Sequence, residues 1–232
     1  MIINNIPFNI YITCLLLSLL IAILYNFYHL KKEKVETRLI WLSIVLIVPF
    51  ILVGGIILNF FYSPPVEINF KNLGFSSYGG ALGLITAVLF YEKITEIESF
   101  KIRYIISAPL MYSISKLGCF FAGCCFGIPY KGPLYVYYPN VINEKLFPIQ
   151  LVETIIFLLI FIIINYIYNK YKSNLIIEYT MISCSISKFL LDYLRYSHIN
   201  KIITLNQVIS IIIFVIAIGL IIQKNKKTKN PK

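Results

Sequence analysis

Charge is scarce in this chain. Only 13% of its 232 residues are Asp, Glu, Lys or Arg, and the mean hydropathy is +0.80. So little charge cannot solvate an ordinary soluble domain, whereas repeated apolar runs of about 20 residues have the length that crosses a bilayer. Histidine is nearly absent. His29 and His198 are the two copies, and neither stands with a serine or cysteine in a hydrolytic triad. No repeat with a period of about 20–50 residues is present, which excludes a solenoid, and no low-complexity tract or soluble domain interrupts the pattern. The first apolar run has no basic residue before it and no small-residue cleavage site after it, so a secretory signal peptide is not expected.

Hydrophobic residues make up 59% of the chain. They fall into seven apolar segments near 8–28, 39–61, 76–91, 104–121, 149–168, 175–194 and 202–222. The expectation is an all-α integral membrane protein with about seven transmembrane helices in one polytopic domain, 1–232, ending in a basic tail at 223–232. The third segment is the weakest. It is short, opens on Ser76, Ser77 and Tyr78, and holds Gly79, Gly80 and Gly83, as a broken or half-inserted helix lining a cavity would.

The formal net charge of +11 does not call for nucleic acid, because cytoplasmic loops of membrane proteins collect Lys and Arg. Fourteen basic residues lie in the loops at 29–38, 92–103 and 169–174 and in the tail. Five lie on the opposite side, at Lys71, Lys131, Lys145, Arg195 and Lys201. This bias puts the N-terminus outside and the C-terminus in the cytoplasm, the parity that seven spans require. The loop at 122–148 is then external, and its PLYVYYPN run reads as an interfacial aromatic belt. The tail is a solvated end able to touch anionic lipid heads.

That orientation brings the unusual polar residues of five segments to one membrane depth, near the outer surface. They are Tyr11; Tyr78, Gly79 and Gly80; Lys116 and Cys119; Gln150 and Glu153; and Lys188, Asp192 and Arg195. Intramembrane charge is costly and is normally kept for function. Cys184, Lys188, Asp192 and Arg195 are spaced as one helical stripe, which suits either a cationic site or a Lys188–Asp192 pair. Lys116 suits a site or a side chain snorkelling to the headgroups. Glu153 is either a first-turn carboxylate favoured by the helix dipole or a partner for Lys116 or Lys188. Gly54 and Gly55 permit close helix packing.

Five cysteines, at 14, 119, 124, 125 and 184, match no finger-type zinc spacing. For Cys119, Cys124 and Cys125 three readings stay open. Metal ligation lacks a nearby His or carboxylate to finish a site, a disulfide suits an oxidising compartment, and small soft packing residues need no further role.

Four stretches, in order, carry a family resemblance: YGGALG at 78–83, KLGCFFAGCCFG at 116–127, FPIQLVE at 147–153 and KFLLDYLR at 188–195. Together with Tyr11 in the first span, they resemble the HGG-type segment, the RIGNFINGELWG signature, and the HPTQLYE and RFIVEFFR motifs of bacterial prolipoprotein diacylglyceryl transferases. The resemblance implies transfer of a diacylglyceryl group from phosphatidylglycerol to the lipobox cysteine thiol of a lipoprotein precursor, at the bacterial plasma membrane, without cofactor or metal. It implies catalytic roles for Tyr78, Lys116, Lys188 and Asp192. It implies phosphatidylglycerol contacts from Tyr11, Gly79, Gly80, Lys116, Cys119, Gly127, Gln150, Glu153 and Arg195. The chain departs from the family pattern at Tyr78 (His), Lys116 and Lys188 (Arg), Cys119 (Asn), Cys124 (acidic), Asp192 (Glu), Cys184 (Tyr) and Ile56 (Arg). The alternatives are a catalytically degenerate lipid-binding or accessory protein, a membrane thiol-redox protein using Cys119, Cys124 and Cys125, and a transporter.

Overall fold

The computed structural model describes residues 8–62, 74–139 and 142–229. Lys71 and Lys232, which entered the charge count, lie outside the described residues. Among the described residues the chain forms seven α-helices: α1 (Phe8–Lys32), α2 (Thr37–Tyr62), α3 (Ser77–Thr95), α4 (Glu98–Ala122), α5 (Ile149–Tyr171), α6 (Ile176–Asp192) and α7 (Leu205–Lys229). Between α4 and α5 lies a two-stranded antiparallel hairpin, β1 (Val136–Tyr138) and β2 (Ile142–Leu146). Five helices, α1, α2, α4, α5 and α7, are long and apolar enough to cross a membrane. Their outward surfaces are greasy: Val45, Val215 and Phe61 are exposed on helix faces that a soluble fold would cover. The chain is therefore an all-α integral membrane protein, its backbone polar groups satisfied within helices as hydrocarbon demands.

The chain divides into two compact units. One comprises Leu19–Ala108, the other Met1–Ser18 with Pro109–Lys232. In the first, α2 and α3 approach through backbone. A Cβ on Gly79 would stand 2.2 Å from the Gly54 carbonyl oxygen, and one on Gly83 would stand 2.1 Å from that of Phe50. Ser76 caps α3 by accepting the Gly79 N–H at 3.4 Å, while its own N–H donates to the Gly55 carbonyl at 3.0 Å. The glycine-rich opening of the third segment is thus an intact helix start packed on Gly54 and Gly55. Tyr78 is buried within this unit.

The same unit corrects part of the charge count. Helix α4 begins at Glu98, so Arg103 belongs to a helix rather than to a loop. It is buried and paired with Glu33, its Nε donating at 2.9 Å and its Nη1 donating to Tyr25 at 3.3 Å. Lys101 likewise pairs with Glu92 at 2.7 Å.

The second unit holds the start of α1, α4 from Pro109 onward, the hairpin, α5, α6 and α7. Phe120, Val136, Tyr138 and Leu146 form a small core that seats the hairpin on the end of α4. The Tyr138 hydroxyl donates to the Phe120 carbonyl at 2.7 Å. Tyr138 is therefore a core residue, not part of an interfacial belt; its neighbours Tyr135 and Tyr137 remain partly exposed. The physical reason is strand alternation, which turns Val136 and Tyr138 to one side.

The contact geometry makes a stability prediction. Gly83→Ala forces the α2–α3 backbones apart and should cost about 1–3 kcal/mol, as overpacking does, read as a lower thermal midpoint in detergent. Gly219→Ala, where a Cβ meets nothing within 4 Å, should leave the midpoint unchanged.

Candidate functional site

The site in the second unit grows from the stripe on α4. Tyr112, Lys116 and Cys119 follow one another at spacings of four and three, which places them on one helix face. Gln150 and Glu153 sit three apart in the first turns of α5 and are fully buried. Lys188 comes from α6, and Arg195 from the segment just beyond it.

Glu153 is the centre. Its Oε2 lies 3.2 Å from Lys116 Nζ, and its Oε1 accepts from Arg195 Nη2 and from the Tyr112 hydroxyl at 2.8 Å. Tyr112 in turn accepts from Lys188 Nζ at 2.8 Å and from Arg195 Nη2 at 3.2 Å. Its ring lies under both ammonium groups, 4.2 Å from Lys188 and 5.1 Å from Lys116. Burial opposes the charge on Arg195, but the Glu153 carboxylate outweighs it and lifts the guanidinium pKa well above its ordinary value. Lys116 and Arg195 therefore pair directly with this buried carboxylate, Lys188 joins through Tyr112, and Arg195 Nε also stands 3.9 Å from Asp192 Oδ1. Of the two readings open for Glu153, the geometry is that of a partner for Lys116. Lys116 itself is 4% exposed and does not snorkel.

Arg195 does not ride on α6. That helix ends at Asp192, and the chain turns before Arg195 forms a β-bridge with Gly127. Ile128 N–H donates to Leu194 O at 3.1 Å and Tyr196 N–H to Phe126 O at 2.9 Å. Backbone pairing with the segment after α4 thus aims the guanidinium at Glu153. Only glycine fits at 127, since a Cβ there would lie 2.2 Å from the Phe147 carbonyl.

Asp192 stands 3.9 Å from Arg195 Nε, so that part of the stripe holds, while Lys188 donates to Tyr112. Asp192 also accepts from the Thr204 hydroxyl and from Asn206 Nδ2 at 3.1 Å, at the start of α7. Thr204 and Gln207 form a reciprocal capping box there, Gln207 N–H donating to Thr204 Oγ1 at 3.2 Å and Thr204 N–H to Gln207 Oε1 at 3.0 Å. A carboxylate at a helix N-terminus is favoured by the dipole, so Asp192 ties α6 to α7.

The remaining expected residues fall as follows. Tyr11 lies within electrostatic reach of Lys116, Cys119, Cys124 and Cys125, and α1 packs closely enough that a Cβ on Gly118 would meet Cys14. Gln150 Nε2 donates to the Cys124 carbonyl at 2.7 Å. Cys119, Cys124 and Cys125 come together, their sulfurs all within 4.8 Å of one another. Hydrogen bonds from Cys119 and Cys124 hold the Cys125 thiol well below the ordinary range, helped by Lys116 and Arg195. Tyr78, Gly79 and Gly80 belong to the other unit. Sequence reasoning missed Tyr112 and Thr204. The signals were there: Tyr112 stands one turn before Lys116, and Thr204 with Gln207 spells a capping box.

A family model described as prolipoprotein diacylglyceryl transferase matches residues 1–223. The chain belongs to that family. It is 28% identical over 205 residues to a phosphatidylglycerol–prolipoprotein diacylglyceryl transferase of Clostridium tetani (strain Massachusetts / E88), covering 83% of this chain and 82% of that protein. It is 29% identical over 192 residues to a protein of the same description from Chloroherpeton thalassium (strain ATCC 35110 / GB-78), covering 75% and 71%. For a member of this family, the buried Lys116–Glu153–Arg195 pairing is the feature whose loss should be felt first. Glu153→Gln leaves two buried cations without their counter-charge and should destabilise the protein by about 3–5 kcal/mol, the usual cost of breaking a buried pair from one side. Unfolding followed in detergent measures it.

Proposed function

We propose that this protein is a phosphatidylglycerol–prolipoprotein diacylglyceryl transferase of the bacterial plasma membrane. It moves the diacylglyceryl group of phosphatidylglycerol to the lipobox cysteine thiol of a lipoprotein precursor. The observation that carries the reading is the charge surplus around Glu153. Lys116 and Arg195 pair with Glu153, Arg195 Nε also stands 3.9 Å from Asp192 Oδ1, and Lys188 joins through the Tyr112 hydroxyl, so three basic side chains meet two carboxylates. A cluster in which basic side chains outnumber carboxylates inside a membrane protein suits an anionic ligand, and the lipid phosphate of phosphatidylglycerol supplies one.

The chemistry follows from the charge. The precursor sulfur attacks the glyceryl carbon that bears the phosphate ester. A C–S bond forms, the C–O bond breaks, and glycerol phosphate leaves with the additional negative charge. Fixed cations aimed at the departing phosphate stabilise that charge as it develops. Lys116 and Lys188 serve as point charges, without the bidentate fork of arginine. Arg195, braced by Gly127 and Glu153, holds the headgroup end, and Tyr11 adds a hydroxyl beside Lys116. Gln150 and Cys119 support the turn at the end of α4. Tyr78, Gly79 and Gly80 enter the proposal on their match to the family's HGG-type segment; the phenol, with an ordinary pKa of about 10, donates a hydrogen bond rather than acting as base. The basic bias of the loops supports an extracytoplasmic site, with the N-terminus outside and the C-terminal tail in the cytoplasm.

The test supplies radiolabelled phosphatidylglycerol and a lipobox peptide to the full chain in phosphatidylglycerol-containing vesicles. Label should move to the peptide thiol, and Lys116→Ala and Lys188→Ala should each lower the rate on the order of 10²–10³-fold, the scale of losing one charge-stabilising group. Lipid retained with no label on the peptide would leave a lipid-binding protein and overturn the reading.

A further inference from the structure

The end of α4 is built as a Schellman motif. Gly123, in the left-handed region at φ 61°, donates its N–H to Phe120 O at 3.4 Å, and Cys124 N–H donates to Cys119 O at 3.1 Å. This motif brings the side chains of its first and last residues together, where an apolar contact usually forms. Here both are cysteines. The next residue, Cys125, also takes a left-handed conformation at φ 55°, which a non-glycine residue adopts only at a cost. The result is three thiols within 4.8 Å of one another, none in a disulfide.

The number and the spacing both point away from simple packing. A disulfide uses two sulfurs and leaves the third unused. Three sulfurs bound to one zinc ion at about 2.3 Å each stand roughly 3.8 Å apart in a tetrahedral arrangement, a spacing that small side-chain adjustments reach from the observed one. The second coordination sphere is in place. Gln150 holds the Cys124 carbonyl, and Gln150 Oε1 is buried with no hydrogen-bond partner among the described residues. Cys119 is buried, Cys124 half-buried and Cys125 exposed, so the cluster is open on one side.

We infer that Cys119, Cys124 and Cys125 form a three-thiolate site for Zn(II), with the fourth position open to a substrate thiol. Soft thiolate ligands select such a thiophilic cation, and three protein ligands with one open position is the arrangement of a catalytic rather than a structural zinc. The open-position part rests on the transferase reading. The precursor thiol binds the metal and loses its proton. Its sulfur then forms the C–S bond as the C–O bond to phosphate breaks, and the proton leaves with the glycerol phosphate. No oxidant or reductant is consumed.

The test uses the full chain purified anaerobically in detergent, with metal content, the Co(II)-substituted absorption spectrum and thiol alkylation as readouts. The expected result is about one Zn(II) per chain, as one three-thiolate site requires, and an intense Co(II)–thiolate charge-transfer band. Cys125→Ser, at an exposed position, and Cys119→Ser should each abolish both signals, while Cys14→Ser and Cys184→Ser keep them. A lipobox peptide should shift the Co(II) spectrum, and its serine analogue should not. A native Cys119–Cys124 disulfide, zinc retained in the two site variants, or a spectrum indifferent to the peptide thiol would overturn the inference. Absence of lipid transfer with the metal signals intact would count against the transferase reading alone.

Discussion

The buried carboxylate of Glu153 is the constraint around which the second unit is arranged. Buried cations would be prohibitive without a counter-charge, and Glu153, fully buried, supplies it to Lys116 and Arg195 together. The elements around it hold the arrangement. Tyr112 links Lys188 and Arg195 to the same oxygen, Gly127 fixes the backbone of Arg195, and Gln150, one turn before Glu153, clamps the cysteine turn. Among these residues three basic side chains meet the two carboxylates of Glu153 and Asp192, so their formal count stays positive by one.

Much of this was legible in the sequence because membrane proteins write their exceptions plainly. In a chain with so few charges, Lys116, Glu153, Lys188 and Arg195 stand out against apolar surroundings, and the hydropathy pattern gives seven helices without further information. What could not be read was the local geometry at helix ends. The stripe from Cys184 to Arg195 assumed a helix running past Asp192, but α6 stops there and Asp192 bonds the side chains of Thr204 and Asn206 at the start of α7. Arg103 looked like a loop cation because its helix starts earlier than hydropathy suggested, with Glu98 and Lys101 in the first turns. Tyr138 looked interfacial because a short strand pair leaves little trace in hydropathy. In each case a polar residue at the end of an element decided the structure, and residue-averaged patterns are least informative there.

The cysteine turn shows the same limit from the other side. In sequence, Cys119 and Cys124 are separated by a spacing that matches no common metal motif. The Schellman closure makes them neighbours, because it joins the first and sixth residues across a glycine in the left-handed region. Spacing rules for metal sites assume knuckles and helical turns; a helix C-cap is a third way to bring two side chains together.

The division of labour among the three cations also follows from their chemistry. Arginine carries several donors on one plane; Arg195 turns Nη2 to both Tyr112 and Glu153 while its Nε stands 3.9 Å from Asp192. Lysine is a compact charge with three donors on a flexible stem. Lys116 gives one direction to Glu153 and rests on the Tyr112 ring, and Lys188 donates to the Tyr112 hydroxyl from across the same ring. Lys116 and Lys188, each held against Tyr112 and the first also on Glu153, thus bring charge to the cluster without the two-point geometry that a guanidinium offers a partner.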